Sequence, residues 1–270
     1  METNSGDIIN GKEISKSKAQ ERQQKLSEIR RKQRVRWLYV AIAVIAFLAV
    51  MFEIYHTSFL DVKTIEIHGN KYINSESVKK TCAINKTTNI FSVPVADIQS
   101  SLSRNPWINS VSVNRVLPST IRIDIVERVP LALISSASKF YLVDEDRLII
   151  ASRAYSDGMD LPVIADLPVS SIKVGERLIH PSLENAIRCL VSMDPGFRKS
   201  INLVSASSVK KLSLYNKDNI EILYGDAKLA PEKNKVISGI LKEQGKQVIF
   251  IDIRSYPQTD PVLRRLDAAP

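Results

Sequence analysis

Residues 106–130, PWINSVSVNRVLPSTIRIDIVERVP, encode one β-hairpin whose two arms turn their apolar side chains to the same face. Val111 and Val113 alternate with polar residues in the first arm. Ile121, Ile123 and Ile125 alternate with Arg122 and Asp124 in the second, the period-2 pattern of a half-buried strand. Leu117-Pro118-Ser119 is the turn, because proline pre-sets one backbone angle and donates nothing to a ladder. Pro106 and Pro130 close the unit at its two ends. One face of such a hairpin must be covered.

The residues just upstream supply the cover. Residues 60–68 alternate as a strand with Ile65 and Ile67 on one face, and Gly69-Asn70 makes a turn. Ser75 is the expected N-cap of a short helix that sets Val78 and Cys82 on one side. A second helix is expected after a cap at Ser92, with Pro94 in its first turn and Val95, Ile98 and Leu102 spaced by three and four. The order is β-α-α-β-β. Two helices over one face of a three-stranded sheet make a unit of roughly 70 residues, near the lower size limit for independent folding.

The run Pro106-Trp107, Val111, Val113, Arg115, Pro118, Ile121, Glu127, Pro130 resembles the hairpin motif of the FtsQ/DivIB family of bacterial division proteins, and the β-α-α-β-β unit resembles their POTRA domain. The resemblance extends in order from about Trp37 to Arg254. It implies a membrane-anchored POTRA domain followed by a β-domain.

Ahead of this unit lies an unbroken apolar run of 16 residues, from Trp37 to Phe52, continued past Glu53 by Ile54 and Tyr55. Sixteen helical residues span about 24 Å, and the extension to Tyr55 brings the length close to a hydrocarbon core of about 30 Å. Trp37, Tyr39 and Tyr55 stand where aromatic residues favour the interface. The reading is one transmembrane helix, an uncleaved signal-anchor, since no small-residue cleavage site follows. Residues 1–36 hold ten Lys/Arg against five Asp/Glu, whereas residues 56–70 hold Lys63 against Asp61 and Glu66. The N-terminus is therefore expected in the cytoplasm, with the C-terminal portion exported.

The net charge of +9 suggests nucleic acid only until it is divided along the chain. More than half of it sits in the tail, where a basic run next to a membrane helix is a topology signal and an anionic-lipid contact. No nucleic-acid partner is expected. The tail is expected to be disordered, with residues 19–36 able to become helical at the membrane.

Beyond Pro130 the chain reads as a mostly β unit with at least two helices. Strands are expected at 140–143 and 148–150 around an Asp144-Glu145-Asp146-Arg147 turn, then at 201–206, 209–215, 220–224 and 247–254. Residues 181–193 form a helix with Leu183, Ile187, Leu190 and Val191 on one side. Residues 231–244 form another, with Val236, Ile237, Ile240 and Leu241 together and Gly245 at its end. The expected divisions are a tail to 36, the membrane helix 37–55, a POTRA-like domain 59–130, a β-domain 131–256 and a C-terminal tail 257–270. The fold class is α+β.

No catalytic constellation stands out, and no catalytic, cofactor-binding or metal-ligating residue is assigned. His56, His68 and His180 lack a second His or Cys at metal spacing, so solvated or capping roles are expected. Asp144 and Asp146 read as solvated turn residues. Cys82 and Cys189 fall in different units and are expected as isolated thiols. If the chain is not an enzyme, its opportunity for function is binding through sheet edges, and QVIFIDIR at 247–254 has the β-propensity of an open edge strand able to accept a partner strand. An interior strand would read the same way. The resemblance favours the edge, since in FtsQ/DivIB the terminal strand after I-D-x-R recruits FtsB/DivIC and FtsL. It implies partner contacts at Asp252 and Arg254, and strand alternation adds Val248, Phe250 and Tyr256 as candidates. Here Ser255 and Tyr256 follow Arg254, where the family often has an aromatic residue directly. The expected function is a non-catalytic scaffold at the division septum that supports peptidoglycan synthesis, with other division components engaging the POTRA-like unit. The alternatives are an exported cell-envelope enzyme without a recognisable motif, or another POTRA-bearing, membrane-anchored binding protein.

Overall fold

The computed structural model describes residues 33–53, 55, 58–85, 88–156 and 158–266. The expected tail, as far as residue 32, and His56 lie outside the described residues. Helix α1 (Gln33–Glu53) is apolar from Trp37 to Phe52, with a mean hydropathy of 2.3 over its most apolar 18 residues, and none of that stretch is buried by the other described residues. A helix without a polar face and without protein cover is suited to lipid.

The first unit is the expected β-α-α-β-β. Strand β1 (Thr64–His68), helices α2 (Ser75–Cys82) and α3 (Val95–Ser103), and strands β2 (Ile108–Val116) and β3 (Thr120–Glu127) make a sheet ordered β1-β3-β2. β2 and β3 pair antiparallel with Val111 opposite Ile125 and Val113 opposite Ile123, while β1 runs parallel to β3 with Ile65 beside Ile121. Val111, Val113, Ile121, Ile123 and Ile125 form one core with Val78 and Cys82 of α2 and Ile98 and Leu102 of α3. Three details differ from expectation. Residues 58–60 form a 3-10 turn that buries Leu60, so the first strand starts at Thr64. The cap of α2 is Asn74, whose side chain accepts from the Glu76 N–H, leaving Ser75 to receive the Asn70 amide. Ser92 closes a 3-10 turn (Ile90–Ser92) capped by Asn89, and α3 follows Pro94 with no side-chain cap.

The second unit is a nine-stranded sheet. Its strands are β4 (Ala132–Ser136), β5 (Lys139–Val143), β6 (Ile149–Arg153), β7 (Val163–Ala165), β8 (Ile201–Ala206), β9 (Leu212–Asn216), β10 (Glu221–Leu223), β11 (Val248–Asp252) and β12 (Val262–Arg265). Their order is β12-β11-β10-β9-β8-β7-β4-β5-β6. The β4-β7, β7-β8 and β10-β11 pairs are parallel, and parallel neighbours need long crossovers. Helices α4 (Pro181–Val191) and α5 (Pro195–Ser200) lie in the β7–β8 connection and α6 (Ala230–Gln244) in the β10–β11 connection. Strands β4, β7 and β12 and helix α5 escaped the sequence reading, being short or, in the case of β4, a run of apolar residues without alternation. Val191, expected on the apolar side of α4, is exposed; Ala186 and Cys189 take the buried places beside Leu183, Ile187 and Leu190.

The main core lies between α4, α6 and the sheet. A smaller one, Leu133, Leu142 and Ile150, occupies the opposite face of β4-β5-β6. Cys82 and Cys189 are free and buried in separate cores, and burial pushes the Cys189 thiol up to about 12 despite the Tyr224 hydroxyl and the Lys233 charge nearby.

Candidate functional site

The hairpin motif holds the two units together and shapes both ends of the first. Trp107 stacks on Tyr72 with ring centroids 5.1 Å apart and packs against both the first core and the small core of the second unit. Pro106 rests on Gly175, where an added Cβ would meet the proline ring at 3.4 Å. Arg115 spans the 3-10 turn, donating to the carbonyls of Ile90 at 2.9 Å and Val93 at 2.7 Å. Val111 and Val113 are core residues, Pro118 sits in the exposed turn, and Pro130 is buried along the connection between units.

Glu127 carries a local task that sequence did not disclose. Its carboxylate accepts from the backbone N–H groups of Lys71, Tyr72 and Ile73 at 2.8–3.1 Å, the loop between β1 and α2. Partial burial works to raise its pKa, but those N–H groups and the Lys71 charge outweigh it and hold the carboxyl below the usual carboxylate range. A carboxyl depressed in the folded state adds stability that is complete above its unfolded pKa of about 4.3 and drains away as pH falls through the lower folded value. The protection factors of the amides of residues 70–74, taken relative to the intrinsic exchange rate at each pH, are therefore expected to fall on acidification through that window. In Glu127→Gln, which keeps the shape and removes the charge, that acid-dependent fall should vanish.

In the Asp144–Arg147 turn Asp146 is exposed as expected, but Asp144 is not solvated. Asp144 is buried, accepts from the Leu148 N–H at 2.8 Å and pairs with Arg128 at 2.7 Å, with Asp146 a looser second partner of Arg128 at 3.6 Å. Arg128 belongs to the four-residue connection between β3 and β4, so the ion pair sets the junction. An open cleft of about 500 Å³ runs alongside, lined by Val126, Val129, Leu161, Arg198 and Lys199 among others. His180 accepts from the Ser182 N–H through Nδ1 and caps α4, as one of its two expected roles had it. Among the described residues no group of three or more His, Cys, Asp or Glu side chains could hold a metal ion.

The largest correction concerns the terminal strand. β11 is an interior strand, parallel to β10 on one side and antiparallel to β12 on the other, with Ile251 opposite Leu263 and Phe250 opposite Arg264. The expected C-terminal tail holds the strand that covers it. Val248 is fully buried, and Tyr256 is partly buried against the main core. Phe250 lies beneath the Arg264 guanidinium, 5.3 Å from its ring centroid, and Arg254 is exposed but bound to Asp252 at 2.7 Å. The Arg254 side-chain bonds hold the Asp252 carboxyl below its ordinary value.

Among the described residues the open edge is therefore β12. Leu266 donates its N–H inward to the Gln247 carbonyl, so by strand alternation Arg264 and Val262 also turn their backbone groups toward β11, and Leu263 and Arg265 turn theirs outward. Val262, Leu266 and Ile249, the residue skipped in the β11-β12 register, add exposed apolar side chains to this edge. The other end of the sheet is already occupied: Ile149 donates to Glu176, while Gly175 and Leu178 donate back to Ile149 and Arg147.

Residues 60–128 match the model of the FtsQ-type POTRA domain. Among curated proteins the chain is similar to cell division protein FtsQ of Corynebacterium glutamicum, 26% identical over 77% of this chain and 90% of that protein. It is likewise similar to cell division protein DivIB of Clostridium tetani, 27% identical over 69% of this chain and 72% of that one. The solved major extracytoplasmic domain of DivIB from Geobacillus stearothermophilus aligns with 43% of this chain and 92% of its own at 12% identity, with a TM-score of 0.32.

Proposed function

We infer the role of this chain from its membership of the FtsQ/DivIB family of bacterial cell division proteins: it is a membrane-anchored, non-catalytic scaffold that binds other anchored division proteins at the septum and supports septal peptidoglycan synthesis. The observation that carries this reading is the open β12 edge. Its outward backbone groups offer hydrogen bonds to an added strand, and Val262, Leu266 and Ile249 offer apolar contact beside it. Asp252 and Arg254 stand at the end of the neighbouring strand, where their ion pair supports the edge rather than forming it. The partner strand is assigned to the FtsB/DivIC-like protein, with the FtsL-like protein bound alongside.

The charge division around α1 supports a cytoplasmic N-terminus and exported domains. The domain limits that follow are 1–36, 37–55, 59–130 and a β-domain from 131 that runs on through β12 to about 266.

Arg265→Pro tests the site. It removes one outward donor from an edge strand, a position that tolerates proline. Capture of the exported FtsB/DivIC-like and FtsL-like segments from the same organism is expected to fall at least tenfold, with the thermal transition little changed. Undiminished capture by a folded Arg265→Pro chain would remove strand addition at β12 as the mechanism. Ile251→Pro is unsuited to this purpose, because Ile251 is wholly buried between two paired strands and its loss would unfold the sheet.

A further inference from the structure

The end of the POTRA domain nearest α1 carries three large apolar side chains that none of the other described residues covers. Phe59 is 60% exposed, Phe91 50% and Leu117 59%. They come from three separate segments that the fold brings to one end. Asp61 and Asn89 form an antiparallel bridge, which sets the 3-10 turn holding Phe59 across from the one holding Phe91. Their neighbours Leu60 and Ile90 point into the core, so the two phenylalanines turn outward. The β2–β3 turn joins them: Lys63 donates to the Ser119 carbonyl at 2.8 Å, and Arg115, two residues before Leu117, donates to Ile90 and Val93.

The same end is where the membrane helix arrives. The Asn89 amide donates to the Tyr55 carbonyl at 2.7 Å, and the hydroxyls of Tyr55 and Ser92 lie 3.2 Å apart. The exit of the helix is thus fastened to the turn that presents Phe91. Phe59 follows Tyr55 by four residues, a reach of at most about 14 Å. The polar layer on each side of a bilayer is about 5–8 Å thick. A domain tied so closely to the helix end cannot hold this face far from the lipid, and aromatic side chains favour that layer.

We propose that Phe59, Phe91 and Leu117 form a lipid-contact surface, on which the POTRA domain rests in the interfacial layer of the bilayer that α1 crosses. The occupant is the bilayer itself, continuous with the lipid around α1. The consequence is orientational: with this end seated, the domain can no longer swing freely about the helix, and the junction to the β-domain lies at the opposite end of the β2–β3 hairpin.

The full chain reconstituted into phosphatidylethanolamine and phosphatidylglycerol vesicles, with an environment-sensitive fluorophore on single cysteines, tests this. Cys82 and Cys189 are buried and stay unlabelled in the folded protein. Labels at Phe59→Cys, Phe91→Cys and Leu117→Cys are expected to be quenched several-fold more by headgroup-proximal nitroxide lipid than a label at Ile179→Cys, an exposed β-domain site, and to be less accessible to aqueous iodide. A label at Phe47→Cys, within α1, verifies insertion independently. Lipid quenching equal to that at Ile179, or protection from both quenchers as a protein contact would give, overturns the proposal.

Discussion

Gly69→Ala is expected to destabilise the POTRA domain strongly, while Gly158→Ala, at nearly the same backbone angle, is expected to be tolerated. Gly69 follows β1 with φ +85°, and Gly158 has φ +81°, so both substitutions incur the left-handed penalty of about 1–2 kcal/mol. Their surroundings separate them. A Cβ at Gly158 meets nothing within 4 Å, but at Gly69 it would sit 2.0 Å from the Ile125 carbonyl oxygen and 3.2 Å from its carbon. Ile125 belongs to β3, the central strand, whose backbone is paired with β2 and lies above two helices. To relieve the contact, β1 must separate from β3 or β3 must shift within its sheet.

Overpacking against immobile backbone costs about 1–3 kcal/mol beyond the angular penalty, sometimes more. A unit of roughly 70 residues has a total stability of about 4–10 kcal/mol, so a combined loss of about 2–5 kcal/mol takes a large share of it. Hydrogen exchange followed by mass spectrometry reads the result directly: β1, β2 and β3 of Gly69→Ala should lose protection together while the β-domain keeps its own. Equal protection of those strands in Gly69→Ala and Gly158→Ala would show that the close approach at β3 is easily relaxed.

The second large effect belongs to Asn185. This buried side chain of α4 accepts from the Ala227 N–H at 2.8 Å and donates to the carbonyls of Gly225 at 3.0 Å and Val209 at 3.1 Å. One amide thereby satisfies backbone groups in two loops, those after β8 and β10. Removing it strands them, at about 1–3 kcal/mol for each group that water does not reach. Asn185→Ala is expected to cost about 3–5 kcal/mol, well above an ordinary substitution. Asn234→Ala supplies the comparison: its amide donates to the Cys189 carbonyl and the Ser192 hydroxyl, but its own oxygen has no partner among the described residues, so a cost of about 1–2 kcal/mol is expected.

The effect of Asn185 should reach the partner edge. Gly225 packs against Arg254, with an added Cβ placed 3.2 Å from the Arg254 Cγ, and the Ile253 N–H donates to Leu223 at 3.0 Å. Loosening residues 224–227 frees the end of β11, and with it the support of β12. Urea unfolding and hydrogen exchange of residues 207–229 measure the first consequence, partner capture the second. Full protection of those residues in Asn185→Ala would mean that water replaces the amide.

How far a residue's role could be read from the chain depended on how local its cause is. The Pro106–Pro130 hairpin, the β-α-α-β-β order and the apolar helix α1 follow from periodicity, proline placement and composition within short windows, and the structure has each of them. The turn at Gly69 belongs to the same class. Asp144 was misread because its partner, Arg128, lies 16 residues away in the connection between the two units. Asn185 carried no signal, since an asparagine in a helix gains its meaning only from loops 24 and about 40 residues further on.

The decisive difference was the sheet edge. Sequence alone determined that residues 248–252 form a strand of high β-propensity, because branched and aromatic side chains declare it locally. It could not determine whether that strand lies open. That is settled by β12, four residues with two arginines whose intrinsic preference for a strand is weak. β12 forms because β11 offers an edge already aligned by β10 and by the core beneath Ile251, and hydrogen bonds to a preformed edge decide what propensity leaves undecided.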